Sequence, residues 1–182
     1  KDILNLVYLC KYYGLHDVAE YWHQVVKIND YQKDRFAQKI IDHFDGDLNG
    51  NRVAILGWAF KKDTNDSRES AAIYVTSYLI EAGAHIAVYD PMVAPQRILS
   101  DLRLLWESRG LYEDEIQKRL GNLQCFDDYK NAIQDSHAVG ILTDWDEFKD
   151  YPWKSIAQNN LIVDGRNILN HKSIQSIQSI GK

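Results

Sequence analysis

Apolar positions along this chain follow two rhythms, and the change between them falls near residue 50. Over roughly the first 45 residues they recur at helical spacing. Val18, Trp22, Val25 and Asn29, then Phe36, Ile40 and Phe44, keep an i, i+3/i+4 beat, and Gly14 separates a short first helix from a long second one. A helix of ~28 residues would be roughly 40 Å long at 1.5 Å per residue, more than one sheet face needs. Such a helix bridges domains or packs against a partner chain. Its aromatic residues (Tyr21, Trp22, Tyr31, Phe36) suit a buried interface, and ordinary core packing explains them nearly as well.

From Asn51 the texture becomes short, β-rich apolar runs: "RVAIL" (52–56), "HIAVYD" (85–90), "LQCF" (123–126), "AVGILT" (138–143) and "LIVD" (161–164). Runs that are apolar on both faces predict parallel strands covered on both sides. Helical patterns separate most of them. One spans 70–81, with Asp66 and Glu69 expected as its N-terminal capping pair and Gly83 as its stop. Another spans 127–134, and 93–121 is a charged, mostly helical excursion between the second and third strands. Strand alternating with helix predicts βαβ units, hence an α/β, Rossmann-like doubly wound parallel sheet preceded by a long helical segment. The domain expectation is a helical segment over 1–46 and a sheet domain over 51–182.

Composition adds constraints rather than a new picture. The chain has 182 residues, 45% hydrophobic and 26% charged, values of an ordinary globular chain. A formal net charge of −5 argues against nucleic-acid binding, which wants a basic face. Cys10 and Cys125 lie far apart and match no metal spacing, so a reducing compartment is expected. The six histidines show no paired spacing that would suggest a metal or catalytic site. The start "KDILNLVYLC" has a signal peptide's lysine and apolar octet, but Asp2 and Asn5 interrupt it. No apolar run approaches the ~20 residues needed to cross a bilayer. The chain begins without methionine and reads as a piece of something longer.

The candidate chemistry lies where the predicted strands end. In open α/β sheets ligands bind beyond the carboxyl ends of strands, where strand order reverses. With dinucleotide-type order the first and fourth strands meet there, trailing "GWAFKKD" (57–63) and "TDWDEF" (143–148), and the fifth adds "DGRN" (164–167). Lys61, Lys62 and Arg166 would then share one rim, a site for a phosphate or diphosphate. A full dinucleotide turn needs G-x-G-x-x-G; here Gly57 stands alone, with Ala59 and Lys62 in the other glycine positions. The turn argues against NAD and for a nucleotide held by side chains. Each residue also has a plainer reading. Lys61 and Lys62 fit a solvated surface, Arg68 a first-turn surface residue, Asp90 a turn former before Pro91 or a ribose ligand, and Arg166 a structural salt bridge.

The run "AILGWAFKKDTNDSRES" resembles the segment that opens the C-terminal domain of UDP-glucose 6-dehydrogenases, the animal-type enzymes in particular. "KDILNLVYLC", "GAHIAVYDP" (83–91) and "VDGRNIL" (163–169) agree, so the likeness runs from residue 1 to about 169 and is weakest across 92–135. The resemblance implies two Rossmann-like domains joined by a long central helix, the first binding NAD and the second the UDP-sugar. Phe60 and Lys61 fall in the family's substrate-contacting positions, and Arg166 in that of its second substrate arginine. Arg68 matches a residue reaching back to NAD on the other domain. The family's nucleophilic cysteine precedes a Lys-Asp pair, which this chain matches as Lys1 and Asp2. Lys1 falls on the cofactor side, and Asp2 is the carboxylate that helps position the hydrolytic water.

The implied reaction is the oxidation of UDP-glucose to UDP-glucuronate with two NAD, through a cysteine thioester. That cysteine would lie upstream of Lys1, so the chain alone is expected to be inactive. Cys10 and Cys125 read as packed thiols. The resemblance further implies a cytoplasmic homo-oligomer that self-associates through the long helix. Two alternatives stay open: a related dehydrogenase acting on GDP-mannose or a UDP-N-acetylhexosamine, and a non-catalytic oligomerisation module.

Overall fold

Strands form where the β-branched and apolar runs lie, and their order follows from the helices that must return the chain to the same end of the sheet. The computed structural model describes residues 2–169 and 177–179. Helices α1 (Asp2–Tyr12) and α2 (His16–His43) come first. They are followed by β1 (Arg52–Leu56), α3 (Ala71–Glu81), β2 (His85–Tyr89), α4 (Pro95–Ser108), α5 (Glu113–Leu120), β3 (Leu123–Cys125) and α6 (Tyr129–Ile133). Then come β4 (Ala138–Ile141), a 3-10 turn (Asp146–Asp150), α7 (Trp153–Ile156), β5 (Leu161–Asp164) and β6 (Ile177–Ser179). The strands form one parallel sheet in the order β3-β2-β1-β4-β5-β6. Order reverses between β1 and β4, as the dinucleotide-type arrangement requires. The strands β1, β4 and β5 are buried almost throughout, as expected of a sheet covered on both faces.

The chain divides into two units, one ending at Arg35 and the other starting at Phe36, so the division falls inside α2. In the first unit Val7, Cys10 and Ala19 form a small core flanked by Ile3, Leu6 and Trp22. Gly14 takes a left-handed φ of 73° between the two helices. In the second unit, Phe36, Ala37 and Ile40 already belong to the sheet's core. Phe36 lies over two glycines: a Cβ on Gly140 or Gly165 would stand 3.1 or 2.9 Å from its ring. The small residues on β4 and just after β5 therefore make room for one aromatic ring.

Three local features differ from the sequence pattern. The capping pair expected at Asp66 and Glu69 does not form. Ser70 caps α3 instead, its hydroxyl accepting from the Ala72 amide, while Asp66 turns to Arg68. Glu69 has a left-handed φ of 63°, so it precedes the helix rather than opening it, and its carboxylate accepts from the Tyr74 hydroxyl. Gly83 does end α3, at φ 98°. The helix expected over 127–134 is shorter, Tyr129–Ile133, with Asp128 as its cap. The strand β6 is additional, since three residues within a polar repeat carry no alternating signal.

Candidate functional site

The segment leaving β1 is fixed at each successive peptide. Gly57 has φ 90°, and a Cβ there would lie 2.4 Å from the Thr143 Cβ, so only glycine allows the loops after β1 and β4 to touch. The Trp58 and Ala59 amides both donate to Oδ2 of Asp90, at 2.6 and 2.9 Å. Thr143 donates its hydroxyl to the Ala59 carbonyl at 2.7 Å. The Phe60 amide donates to the Asp66 carbonyl, and the Phe60 carbonyl accepts from Arg166 Nη2 at 3.2 Å.

Arg166 completes the rim. Its Nε donates to the Leu142 carbonyl at 2.6 Å, beyond the end of β4. Its own amide donates to Asp164, the fully buried last residue of β5, whose other carboxylate oxygen accepts from the Leu169 amide. One guanidinium thus joins the segments after β1, β4 and β5. Among the described residues the Arg166 side chain is held by carbonyls rather than by the salt bridge weighed for it. Lys61 follows Phe60 and is exposed, and among the described residues it makes no ion pair. Lys62 instead lies 3.5 Å from Asp146, whose carboxyl is held below its usual range mainly by Lys149 and secondarily by Lys62. The ring of Phe60 is half open to solvent.

The bonds that join the rim do not include the side chains of the other predicted residues. Arg68 forms a two-pronged pair with Asp66, at 2.8 and 2.7 Å, which raises the guanidinium's affinity for its proton. It lines a cleft of ≈ 590 Å³ together with Ser67, Met92 and Arg97. Asp2 sits exposed in the first turn of α1, within the N-terminal unit. Lys1 lies outside the described residues. Neither cysteine is a ready nucleophile. Cys10 is buried, and burial pushes the Cys125 thiol up to about 11.

Sequence reasoning named Asp90 but missed its inward direction, and it missed Thr143 and Trp145 as partners that shape the rim. Asp90 is nearly buried and acts as the turn former weighed for it, with Oδ1 accepting from the Met92 and Val93 amides at 2.9 Å each. Trp145 adds its indole N–H to Oδ2 at 3.0 Å. Behind this hub Tyr89 donates to Glu147. Burial, then the neighbouring Glu147, raises the Tyr89 hydroxyl, and burial with Asp128 and Asp90 nearby raises Glu147. The Asp-Pro pair was the visible signal for Asp90; Thr143 and Trp145 offered none. Among the described residues no cluster of three or more metal-ligating side chains forms, and no helix is long and apolar enough to cross a membrane.

The residues of the β1 turn do not fit NAD. Pyrophosphate is cradled by free amides of a glycine-rich turn, and here those of Trp58 and Ala59 are spent on Asp90. Parallel order, the switch between β1 and β4 and a cationic rim define a Rossmann-like domain of the nucleotide-binding type.

Comparison with known proteins narrows that class. The family model described as "UDP-glucose/GDP-mannose dehydrogenase family, UDP binding domain" matches residues 54–171. UDP-glucose 6-dehydrogenase of Drosophila melanogaster is 44% identical across the whole chain, and UDP-glucose 6-dehydrogenase 4 of Arabidopsis thaliana 43%. The chain spans 39% and 40% of those relatives' lengths. In fold it resembles a UDP-glucose dehydrogenase from Pyrobaculum islandicum, with a TM-score of 0.69 at 24% identity over 97% of this chain and 35% of that one. It also resembles a GDP-mannose dehydrogenase from Pseudomonas aeruginosa, with a TM-score of 0.68 at 19% identity over 98% and 37%. The chain belongs to the UDP-glucose/GDP-mannose dehydrogenase family and carries its UDP-binding domain.

Proposed function

We propose that this chain is the substrate-holding part of an NAD-dependent UDP-glucose 6-dehydrogenase, which oxidises UDP-glucose to UDP-glucuronate in two hydride transfers through a cysteine thioester. The observation that carries the reading is the Arg166 guanidinium bonded to the carbonyls of both Leu142 and Phe60. It ties three strand ends into one rim and leaves its charge, with that of Lys61, available to a diphosphate. Phe60, Lys61 and Arg166 contact the UDP-sugar. Asp2 is the carboxylate beside the hydrolytic water. Arg68 and Lys1 reach NAD, which is held mainly by residues outside this chain.

Neither cysteine of this chain serves as the nucleophile, so the 182-residue chain does not by itself reduce NAD with UDP-glucose. A cytoplasmic setting belongs to the same reading, and the two free cysteines accord with a reducing compartment.

Self-association through α1 and α2 is a second role, supported by the exposed Tyr8, Tyr12, Tyr13 and Tyr21. It coexists with substrate binding.

Calorimetric titration of the chain with UDP-glucuronate and GDP-mannose tests the reading. The UDP-sugar should bind selectively, and Lys61→Ala should weaken it roughly 10- to 100-fold, the value of one charge-assisted contact. Arg166→Lys keeps the charge and loses the planar fork, so it should weaken binding while the chain stays folded. Equal binding of both nucleotides, or an unchanged affinity in Lys61→Ala, overturns the assignment.

A further inference from the structure

The carboxylate of Asp90 accepts five hydrogen bonds at the candidate edge. Oδ2 accepts from the Trp58 amide, the Ala59 amide and the Trp145 indole, and Oδ1 from the Met92 and Val93 amides. Two of those donors are the backbone amides of the turn between β1 and α3. In dinucleotide-binding sheets the amides of this turn face a ligand's phosphate. In the same folds an acidic residue at the end of the second strand faces outward to a ribose. Here that residue points inward and is almost closed to solvent. A negative group thus already occupies the anion position of the turn, and it comes from the protein.

We propose that Asp90 is a specificity-determining positioning residue, an internal anion that fills the phosphate-binding turn after β1, closes it to dinucleotides and holds the Phe60–Lys61 segment in its ligand-ready shape. The geometry accounts for the glycine-poor sequence. A turn that meets a phosphate needs glycines so that its backbone can approach the ligand. A turn that meets a slim carboxylate from the next strand can carry Trp58 and Ala59, both buried. The indoles of Trp58 and Trp145 are buried, the first donating to Asp101 at 3.0 Å and the second to Asp90 itself. Ala59 and Phe60 are fixed from the other side by Thr143 and Arg166. The consequence for the substrate rests on the UDP-sugar reading above; the filling of the turn by a carboxylate does not.

The test is chemical rescue. Asp90→Ala in the 182-residue chain removes the carboxylate and leaves a hole of its size facing the five N–H donors. The melting temperature of this variant should fall, then rise saturably with sodium formate, whereas sodium chloride at equal ionic strength should do little. Wild type should show no formate-specific rise. UDP-glucuronate affinity of the variant should drop about tenfold and recover in formate. If the variant folds only in formate, that also supports the proposal. A variant responding alike to formate and chloride overturns it.

If Asp90→Ala folds in neither salt, Asp90→Asn decides, because its single carbonyl oxygen cannot serve both sets of donors. Either the Trp58 and Ala59 amides or those of Met92 and Val93 should then exchange hydrogen at least about tenfold faster. Unchanged exchange at all four overturns the proposal. Wild-type binding of UDP-glucuronate is measured alongside: its absence contradicts the functional reading, while the formate response still decides whether Asp90 fills the turn.

Discussion

The buried tryptophans of the sheet unit contrast with the exposed tyrosines of the N-terminal unit. In the unit from Phe36 onward, Trp58 and Trp106 are fully buried, and their indoles donate to Asp101 and Ser77. Trp153 is buried as well, donating to the Phe148 carbonyl. In the unit ending at Arg35, Tyr8, Tyr12, Tyr13 and Tyr21 are 68–72% exposed, and Ile28 and Tyr31 are 60% exposed. The first pattern belongs to a domain whose buried indoles find their acceptors within it. The second leaves large apolar surface on a helix pair whose own core is Val7, Cys10 and Ala19, which is what the proposed self-association would cover.

The sharpest way to break the contrast is to empty the sheet domain's core. Phe36→Ala removes the ring that Gly140 and Gly165 make room for. It should cost about 3–5 kcal/mol in urea unfolding, the usual range for a buried phenylalanine. Gly57→Ala comes next. Its methyl would meet Thr143 at 2.4 Å on a backbone with φ 90°, so a loss of about 2–4 kcal/mol is expected from overpacking and the left-handed backbone together.

A smaller effect comes from Cys125. Its thiol titrates near 11 in the folded chain against ~8.5 in a free one, so the folded state holds the proton more tightly. The sign follows from linkage: the contribution is fully present below pH ~8.5 and is lost as pH rises toward 11. Comparing the chain with Cys125→Ala across that window should show a slope of less than about 1 kcal/mol in total, because the thiol is partly open to water. The smallest effect belongs to the N-terminal unit. Tyr12→Ala and Tyr21→Ala should each change stability by under about 0.5 kcal/mol while lowering self-association in sedimentation. A large loss of stability from either would erase the difference between the two units.

Much of the fold was legible because it rests on local signals. Five apolar runs became β1 to β5 nearly residue for residue, Gly14 separates α1 from α2, and Gly83 ends α3. The adjacency of β1 and β4 followed from topology rather than from any residue. What stayed hidden depends on tertiary partners. The direction of the Asp90 carboxylate is set with Trp145, distant along the chain, and the use of Arg166 with the Leu142 and Phe60 carbonyls. A capping serine at position 70 was passed over for an acidic pair, because the left-handed turn at Glu69 has no sequence mark. The candidate rim was therefore visible as a set of cations, while what shapes it was not.

The most direct test of the account is a nuclear magnetic resonance titration of the ¹⁵N-labelled chain with UDP-glucuronate, read residue by residue. The rim account expects the largest shifts at the amides of Phe60 and Lys61, at Thr143 and at the Arg166 Nε, with the Arg68–Arg97 cleft nearly silent. Shifts centred on that cleft, or on α1 and α2, with the rim unmoved would contradict it.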